Sequence, residues 1–379
     1  MNKKQIVTLF VCSLIPWTVG NGLVPLLPVY AMQLGADSKA AGNYLAFSYM
    51  AIALGAISAG WVSDRFQNRK MPIILAGLIG VPVAWLMGRA ASISILSVLT
   101  ALLWFCGGIG LGLIGILAGL SAGHNERGKI FGILSFTGGL GGLIGGLASG
   151  FIVDRWGFQT LFTAIALFLV GWPISGMLLS DKKTERVDKK GESVPHKPAL
   201  GGSFYLLFSA SIAVGIAGFT IVLGRSLVMR DLNFSATEIS FTGAISGIIA
   251  MPLPLFIGWL SDRTGRKIYL FLCYIMGMAS LSILAVATSL WHFLIVSALQ
   301  AIFMGTNGTV GNALATDLLP QESLGRGLSL FGATAWIGGV FGFAGAGYAL
   351  QSFGMLSTFV ISISLPVIAI VLLIPCRSG

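Results

Sequence analysis

Charge is scarce in this chain. Of 379 residues, 9% are Asp, Glu, Lys or Arg, while 55% are hydrophobic. A soluble domain carries about a quarter charged residues to cover its surface, so a water-exposed globular fold is excluded. Histidine is rarer still, with 3 in the whole chain, and leaves no cluster for a metal. The 4 cysteines, Cys12, Cys106, Cys273 and Cys376, lie far apart in apolar stretches. None has metal-ligand or CxxC spacing, so they read as buried or lipid-facing thiols. No nucleophile–base constellation is present, and no enzyme activity, metal or cofactor is expected. Acids are the scarcest charge: all 13 fall in loops or at helix ends and none at mid-span. A proton-coupled carrier usually holds a carboxylate inside a span, because moving a proton needs a site that titrates.

Long apolar runs are what the chain has. A helix needs about 20 apolar residues to cross the hydrocarbon core, and in lipid it satisfies its own backbone. Twelve segments meet that requirement. In the first half they run 5–30, 41–63, 71–90, 93–120, 129–152 and 158–180. In the second they run 203–229, 238–261, 268–288, 291–316, 326–350 and 354–376. The first apolar run, Ile6 to Tyr30, exceeds the 7–15 residues or so of a signal-peptide core and reads as a transmembrane helix. The chain therefore divides into a six-helix bundle at 1–180, a charged cytoplasmic linker at 181–202 and a second six-helix bundle at 203–379. The linker segment "SDKKTERVDKKGESVPHKP" is too polar to fold alone.

The net charge of +10 invites a nucleic-acid reading, but its placement explains it otherwise. With both termini in the cytoplasm, all but Lys39, Arg89, Arg155, Arg225 and Arg230 of the 23 Lys and Arg residues fall on the terminus side. This is the positive-inside pattern of a membrane protein, and no nucleic-acid partner is expected.

One charged phrase is written twice. "GWVSDRFQNRK" begins at Gly60 and "GWLSDRTGRK" at Gly258. The repeat extends outward: Ser38 corresponds to Ser235, "RGKIFG" from Arg127 to "RGLSLFG" from Arg326, and Gly138–Gly139 to Gly338–Gly339. A six-helix unit used twice in one orientation is a transporter architecture.

These features resemble the major facilitator superfamily of secondary transporters over essentially the whole chain. The family's signature G-x-L-x-D-R-x-G-R-K is met in the second copy by Gly258, Leu260, Asp262, Arg263, Gly265, Arg266 and Lys267. The first copy keeps Gly60, Asp64, Arg65, Arg69 and Lys70, with Gln67 and Asn68 replacing Gly and Arg. The resemblance implies an all-α fold of twelve transmembrane helices in two pseudo-symmetric bundles, and an acid at Asp64 that latches the halves by meeting the eleventh helix. "GGLGGLIGGLASG" resembles the G-P-x-x-G-G motif of drug–proton antiporters through Gly141, Gly145 and Gly146, with Gly142 in place of the proline. "GNGLVPLLP" resembles that group's first-helix motif, and its Pro25 and Pro28 can break the helix near its outer end.

Candidate substrate contacts are polar or aromatic residues within spans. Arg225 lies about 7–8 Å inside helix seven at 1.5 Å per residue, where it either reaches the interface or faces the cavity and pairs with an anion. Gln300, Met304, Asn307 and Gly311 share a face of helix ten. Asn21 is a further polar candidate; Trp17, Trp104, Phe136, Phe219 and Trp336 are candidate aromatic walls. A few amides among many aromatics suit a lipophilic or amphipathic compound. The expected activity is export of such a compound by alternating access, from a monomer in a bacterial inner membrane, with protons as the family's usual coupling ion. Two alternatives stand beside it: transport of an anionic organic solute or lipid, and a sensor or scaffold that keeps the fold without transport.

Overall fold

The computed structural model describes residues 3–66, 68–121, 127–181 and 200–376, and the side chains of Asp64, Phe66 and residues 127–129 lie outside that description. The first half is built from α1 (Lys3–Leu23), α2 (Leu27–Gln33), α3 (Ser38–Phe66), α4 (Lys70–Met87), α5 (Ile93–Ser121), α6 (Arg127–Leu169) and α7 (Gly171–Met177). The second holds α8 (Gly202–Asp231), α9 (Ala236–Ala250), α10 (Leu253–Thr264), α11 (Arg266–Ala285), α12 (Leu290–Leu318), α13 (Leu324–Ser362) and α14 (Ser364–Leu373).

These fourteen helices make twelve spans, and prolines and glycines account for the difference. Span one is α1 plus α2. Its ladder breaks at Val24–Leu26 because Pro25 has no N–H to donate, and Leu26 N–H bonds to Leu23 O instead. Span eight is α9 plus α10, bent by 42° beside Pro252 and Pro254. The sequence reading placed a break at Pro25 but treated 238–261 as unbroken. In the opposite sense, α6 and α13 are each too long for one crossing. Each turns back at a glycine whose backbone only glycine adopts freely: Gly157 (φ 78°, ψ 173°) and Gly354 (φ 76°, ψ 175°). The two glycines are separated by an offset within one residue of that between the starts of the charged phrases. The internal repeat is thus carried down to single backbone angles.

Helix packing repeats as well. In the first half α1 packs on α6 and α3 on α5; in the second α8 packs on α13 and α9 on α12. Across the halves α6 packs on α9 and α3 on α13, which is again one contact written twice. The termini share one face, termed here the termini face. There Gln5 exchanges two hydrogen bonds with the backbone of Ser180 (2.9 and 3.0 Å), and Cys376 Sγ donates to Ser203 O (3.1 Å).

The outer surface is apolar. Ile57, Leu167, Leu255 and Trp291 are all at least 70% exposed, which fits side chains meeting lipid rather than water. Many hydroxyls along the spans are satisfied by their own helix one turn back, as in Thr18 to Leu14 O and Thr100 to Leu96 O (both 2.8 Å).

The turn glycines generate a stability prediction. Gly157→Ala and Gly354→Ala should each cost about 1–3 kcal/mol, because a side chain disfavours that backbone region. Gly345 is helical with open space around it, so Gly345→Ala should be neutral or stabilising. Thermal unfolding of the purified protein, followed by tryptophan fluorescence, checks both; equal melting points for all three variants would contradict the assignment.

Candidate functional site

Between the halves lies a cavity of ≈ 250 Å³. Its walls are rich in aromatics, Trp17, Tyr49, Trp104, Trp172, Phe219 and Trp336; among the described residues Asn21 is the only side-chain amide in the lining and none there is charged. Asn21 Nδ2 donates to Gly138 O (2.9 Å), so the amide ties span one to span five as it faces the cavity. Tyr49 lies where the halves meet. Coming from α3, its ring sits 4.8 Å from Phe219, 4.9 Å from Phe343 and 6.4 Å from Trp336, all on the second half. Gly339 makes room for it, since a Cβ there would lie 2.5 Å from the tyrosine ring.

On the side away from the termini, the halves are locked together. Along α6, a Cβ added to Gly139, Gly146 or Gly150 would come within 2.6, 2.3 and 2.2 Å of α9 atoms or Met251, and one at Gly142 would lie 3.2 Å from Gly247. The absence of side chains is what lets the two backbones touch. Ser240 Oγ donates to Gly146 O (2.7 Å) and accepts from Gly150 N–H (3.0 Å), a buried bond pair across the interface. At the far end Asp154 caps α9: its carboxylate accepts from Ala236 N–H (2.9 Å), Thr237 N–H (2.8 Å) and Thr237 Oγ1 (2.5 Å). A carboxylate at a helix N-terminus satisfies open N–H groups and is favoured by the helix dipole. The mirror contact of α3 with α13 is as close, with Gly42 and Gly347 backbone to backbone and Lys39 Nζ 5.7 Å from the Tyr348 ring.

On the termini face the same elements part. Among the described residues, Gly60 on α3, Gly132 on α6 and Gly325 and Gly332 on α13 have nothing within reach of an added Cβ. The cavity is closed toward the far face, and the interface opens toward the termini.

The sequence family agrees with this geometry. The family model described as Major Facilitator Superfamily matches residues 9–224 and 204–378. The chain belongs to this superfamily. It is similar to the multidrug resistance protein MdtG of Klebsiella pneumoniae (strain 342), 30% identical over 273 residues that cover 68% of this chain and 65% of that protein, just under two thirds of its length. It is also similar to MdtG of Citrobacter koseri (26% identity; 79% of this chain, 76% of that one). Among solved structures, the nucleoside transporter NupG superposes with a TM-score of 0.81 at 13% identity (97% of this chain, 98% of that one). A bacterial homolog of the human lysosomal transporter Spinster superposes with a TM-score of 0.77 at 14% identity (100% and 98%). The chain is an integral membrane secondary transporter of the major facilitator fold.

The described signature residues make the following contacts within their own half. Arg69 is buried; its Nε donates to Ser63 Oγ (2.8 Å) and its Nη1 pairs with Asp181 (3.4 Å). Asp181 also accepts from the N–H groups of Arg69 (2.5 Å) and Lys70 (3.2 Å), capping α4. Lys70 Nζ donates to Met177 O at the end of span six, and Lys267 Nζ donates to Ile374 O (2.7 Å) and Cys376 O (2.8 Å) at the end of span twelve. Each lysine thus places a cation at a helix C-terminus. Arg266 bridges Asp262 (3.5 Å) and Asp317 (2.9 Å) within the second half, Arg263 stacks on Trp259 (4.1 Å), and Gly265 (φ 98°) makes the turn. Arg65 is exposed, and Gly258 faces Thr309 across an ordinary contact distance (3.8 Å). The expected latch through Asp64 lies outside the described side chains. The carboxylate seen gripping the other half is Asp154, at the opposite face, a role the sequence reading did not assign. Its signal was present: an acid just ahead of a turn glycine, opposite a helix start.

The three antiporter-motif glycines divide between two interfaces. Gly141 and Gly145 lie against α1 within their own half, with would-be Cβ distances of 2.7 Å to Thr18 N and 2.4 Å to Thr18 O, while Gly146 faces α9 of the other half. Of the expected substrate contacts, Asn21, Trp104 and Trp336 line the cavity, with Trp17 and Phe219, whereas Phe136 is exposed elsewhere. Gln300, Asn307 and Arg225 do not line it. Gln300 Nε2 lies 3.2 Å from Met304 Sδ; Asn307 Oδ1 accepts from Tyr274 OH (3.1 Å) and Ser211 Oγ (3.4 Å) in the second-half core. A shared helix face placed Gln300 and Asn307 correctly on one side of helix ten, but that side packs on helices seven and nine. Arg225 neither reaches the interface nor faces this cavity; it is buried and donates to Ser297 Oγ (2.7 Å). Tyr49 and Trp172 escaped the sequence reading, because a lone aromatic in an apolar span carries no mark of the face it occupies.

The far-side lock is directly testable. Asp154→Ala removes the cap and its charge–dipole attraction, about 0.3–1 kcal/mol when exposed and up to ~2 when partly buried. It should raise the population open to the far face. Gly146→Leu should hold the far side apart. Spin-label distances between introduced cysteines at Thr160 and Thr288, both exposed near that face, should lengthen in both variants. An unchanged distribution in both would remove the lock from the account.

Proposed function

We propose that this transporter exports small lipophilic or amphipathic compounds from the cytoplasm of a bacterium. The observation that carries the reading is the cavity, whose walls are aromatic and uncharged. Such walls stack on flat apolar compounds and offer few hydrogen bonds to a sugar or a peptide. The relatedness to MdtG, a protein named for multidrug resistance, supports the same class.

In this reading the termini face is cytoplasmic, as the Lys and Arg placement indicates, and the conformation described is the one that loads substrate. The cycle is a rocking of two units, 1–180 and 203–379, joined by the charged linker 181–202. Breaking the far-side contacts of α6 with α9 and α3 with α13 releases substrate outward. Separating Tyr49 from Phe219, Phe343 and Trp336 opens the route. The inner-membrane location, the monomeric state and proton antiport follow the family pattern. The acids of the described chain lie at helix ends, so a proton would act through a gate carboxylate such as Asp154 rather than through one at mid-span. The signature residues Gly60, Asp64, Arg65, Arg69, Gly258, Asp262, Arg263, Gly265 and Arg266 would keep each half rigid and guide its movement.

Proteoliposome flux across a panel of neutral, cationic and anionic aromatic compounds, with and without an imposed pH gradient, tests the proposal. Neutral lipophilic compounds should move. Trp104→Ala and Tyr49→Ala should each weaken binding about three- to tenfold, the worth of one aromatic contact. Transport of sugars or peptides in preference to the apolar panel would reverse the substrate reading. Binding without flux of any compound would reverse the transporter reading.

A further inference from the structure

Arg225 is the buried cation that the aromatic cavity does not use. It stands six residues before the end of α8, roughly 9 Å deep at 1.5 Å per residue, and is 3% exposed. Its Nη1 donates to Ser297 Oγ on α12 (2.7 Å), while its Nε has no hydrogen-bond partner. Among the described residues no carboxylate lies within ion-pair distance of it. Ser297 leaves the charge uncompensated, because a neutral hydroxyl supplies only a lone pair; its own proton goes to Phe293 O (2.6 Å). On α9, Ser246 Oγ donates to Ser297 O (3.3 Å), the backbone of the same serine. Among the described residues Arg225 is thus held from span ten through Ser297, and its Nε–H is left as an unused donor.

A charge this far inside a span is costly unless something offsets it. The offset has an evident route. On the first half, α2 packs against α8, and Pro25, at the break in span one, stands 3.3 Å from the would-be Cβ of Gly243, one turn from Ser246 on α9. Because α2 and Pro25 belong to the first half, parting the halves at the far face would withdraw them from α8 and α9. The free Nε–H is suited to a halide or to one oxygen of a carboxylate.

We infer that Arg225, oriented by Ser297, is a small-anion site reached from the far face, and that the far side closes preferentially over a bound anion. An occupied site lets the halves close without sealing in an unpaired charge. The site is separate from the aromatic cavity, so it stands or falls independently of the efflux reading.

The test uses purified protein spin-labelled at Thr160→Cys and Thr288→Cys, in sodium chloride, sodium acetate or sodium isethionate at equal ionic strength, isethionate being a bulky anion. Chloride and acetate should each shift the wild-type distribution toward the short, far-closed distance. A shift with acetate alone identifies the carboxylate of an organic anion as the ligand, and a shift with both identifies inorganic anions as sufficient. Arg225→Met should be far-closed in all three salts and insensitive to them. Ser297→Ala, which keeps the cation, should need about tenfold more anion for the same shift, the worth of one hydrogen bond involving a charged group. Identical wild-type distributions in the three salts would overturn the inference, as would an Arg225→Met variant that responds like the wild type. Should Arg225→Met fail to fold, Ser297→Ala and Arg225→Lys decide: an anion response unchanged from wild type in both excludes the site.

Discussion

The contact on which the rest of this molecule depends is backbone against backbone, α6 on α9 and its mirror α3 on α13. Water drives no apolar association inside a bilayer, so two helix bundles hold together only through close packing and hydrogen bonds. Glycine at 139, 142, 146 and 150 brings α9 near enough for both. Ser240 exploits that nearness with two bonds, and Asp154 closes the end of the same seam. Because these contacts occupy only the far part of the interface, the two halves diverge toward the termini. The location of the opening therefore follows from where the small residues lie. Beside this seam the aromatic contact of Tyr49 with Phe219 and Phe343 also joins the halves, so the proposed rocking would have to break both.

The signature charges contribute differently. They tie the loop between the second and third helices of each half to the end of that half's last helix: Lys70 to Met177 O, Lys267 to Ile374 O and Cys376 O. In the proposed rocking cycle this fastening would let each half move as one body. The repeated phrase is explained without a role in substrate contact, because a rocking mechanism needs two rigid units and each requires its own fastening. Arg69 with Asp181 and Arg266 with Asp317 are unequal solutions to that same need.

The fold was almost fully legible in the sequence, for a reason specific to membranes. Lipid demands about 20 apolar residues per crossing, so each span announces itself. The repeat supplied the pairing of halves. Gly138–Gly139 and Gly338–Gly339, matched by sequence alone, do match in function: the first of each pair faces its own half, toward Trp17 or Gly215, and the second faces the other half, toward Met251 or Tyr49. The site was legible only in part. Asn21, Trp104 and Trp336 line the cavity, but Gln300 and Asn307 turned out to be core residues bonded inside the second bundle. A polar side chain in a span signals burial, and burial within a bundle and exposure to a cavity look alike until helix rotation is known. Tyr49 shows the converse, since an aromatic gives no polarity contrast at all.

In the proposed cycle these two kinds of residue would also divide the work of transport. The cavity would select by shape and polarisability, with rings that tolerate many partners. Selection of that kind is weakly directional and couples poorly to conformation, because an apolar guest loses little when the walls shift. Coupling needs a group whose energy changes steeply with burial, and among side chains only charged or strongly hydrogen-bonded ones meet that condition. Among the described residues, charged groups of this kind stand away from the cavity: Asp154 at the seam, bonded to the start of α9, and Arg225 buried on α8 against Ser297. An apolar cavity with its charges held at the gates can keep a broad choice of substrate while retaining control over when each face opens.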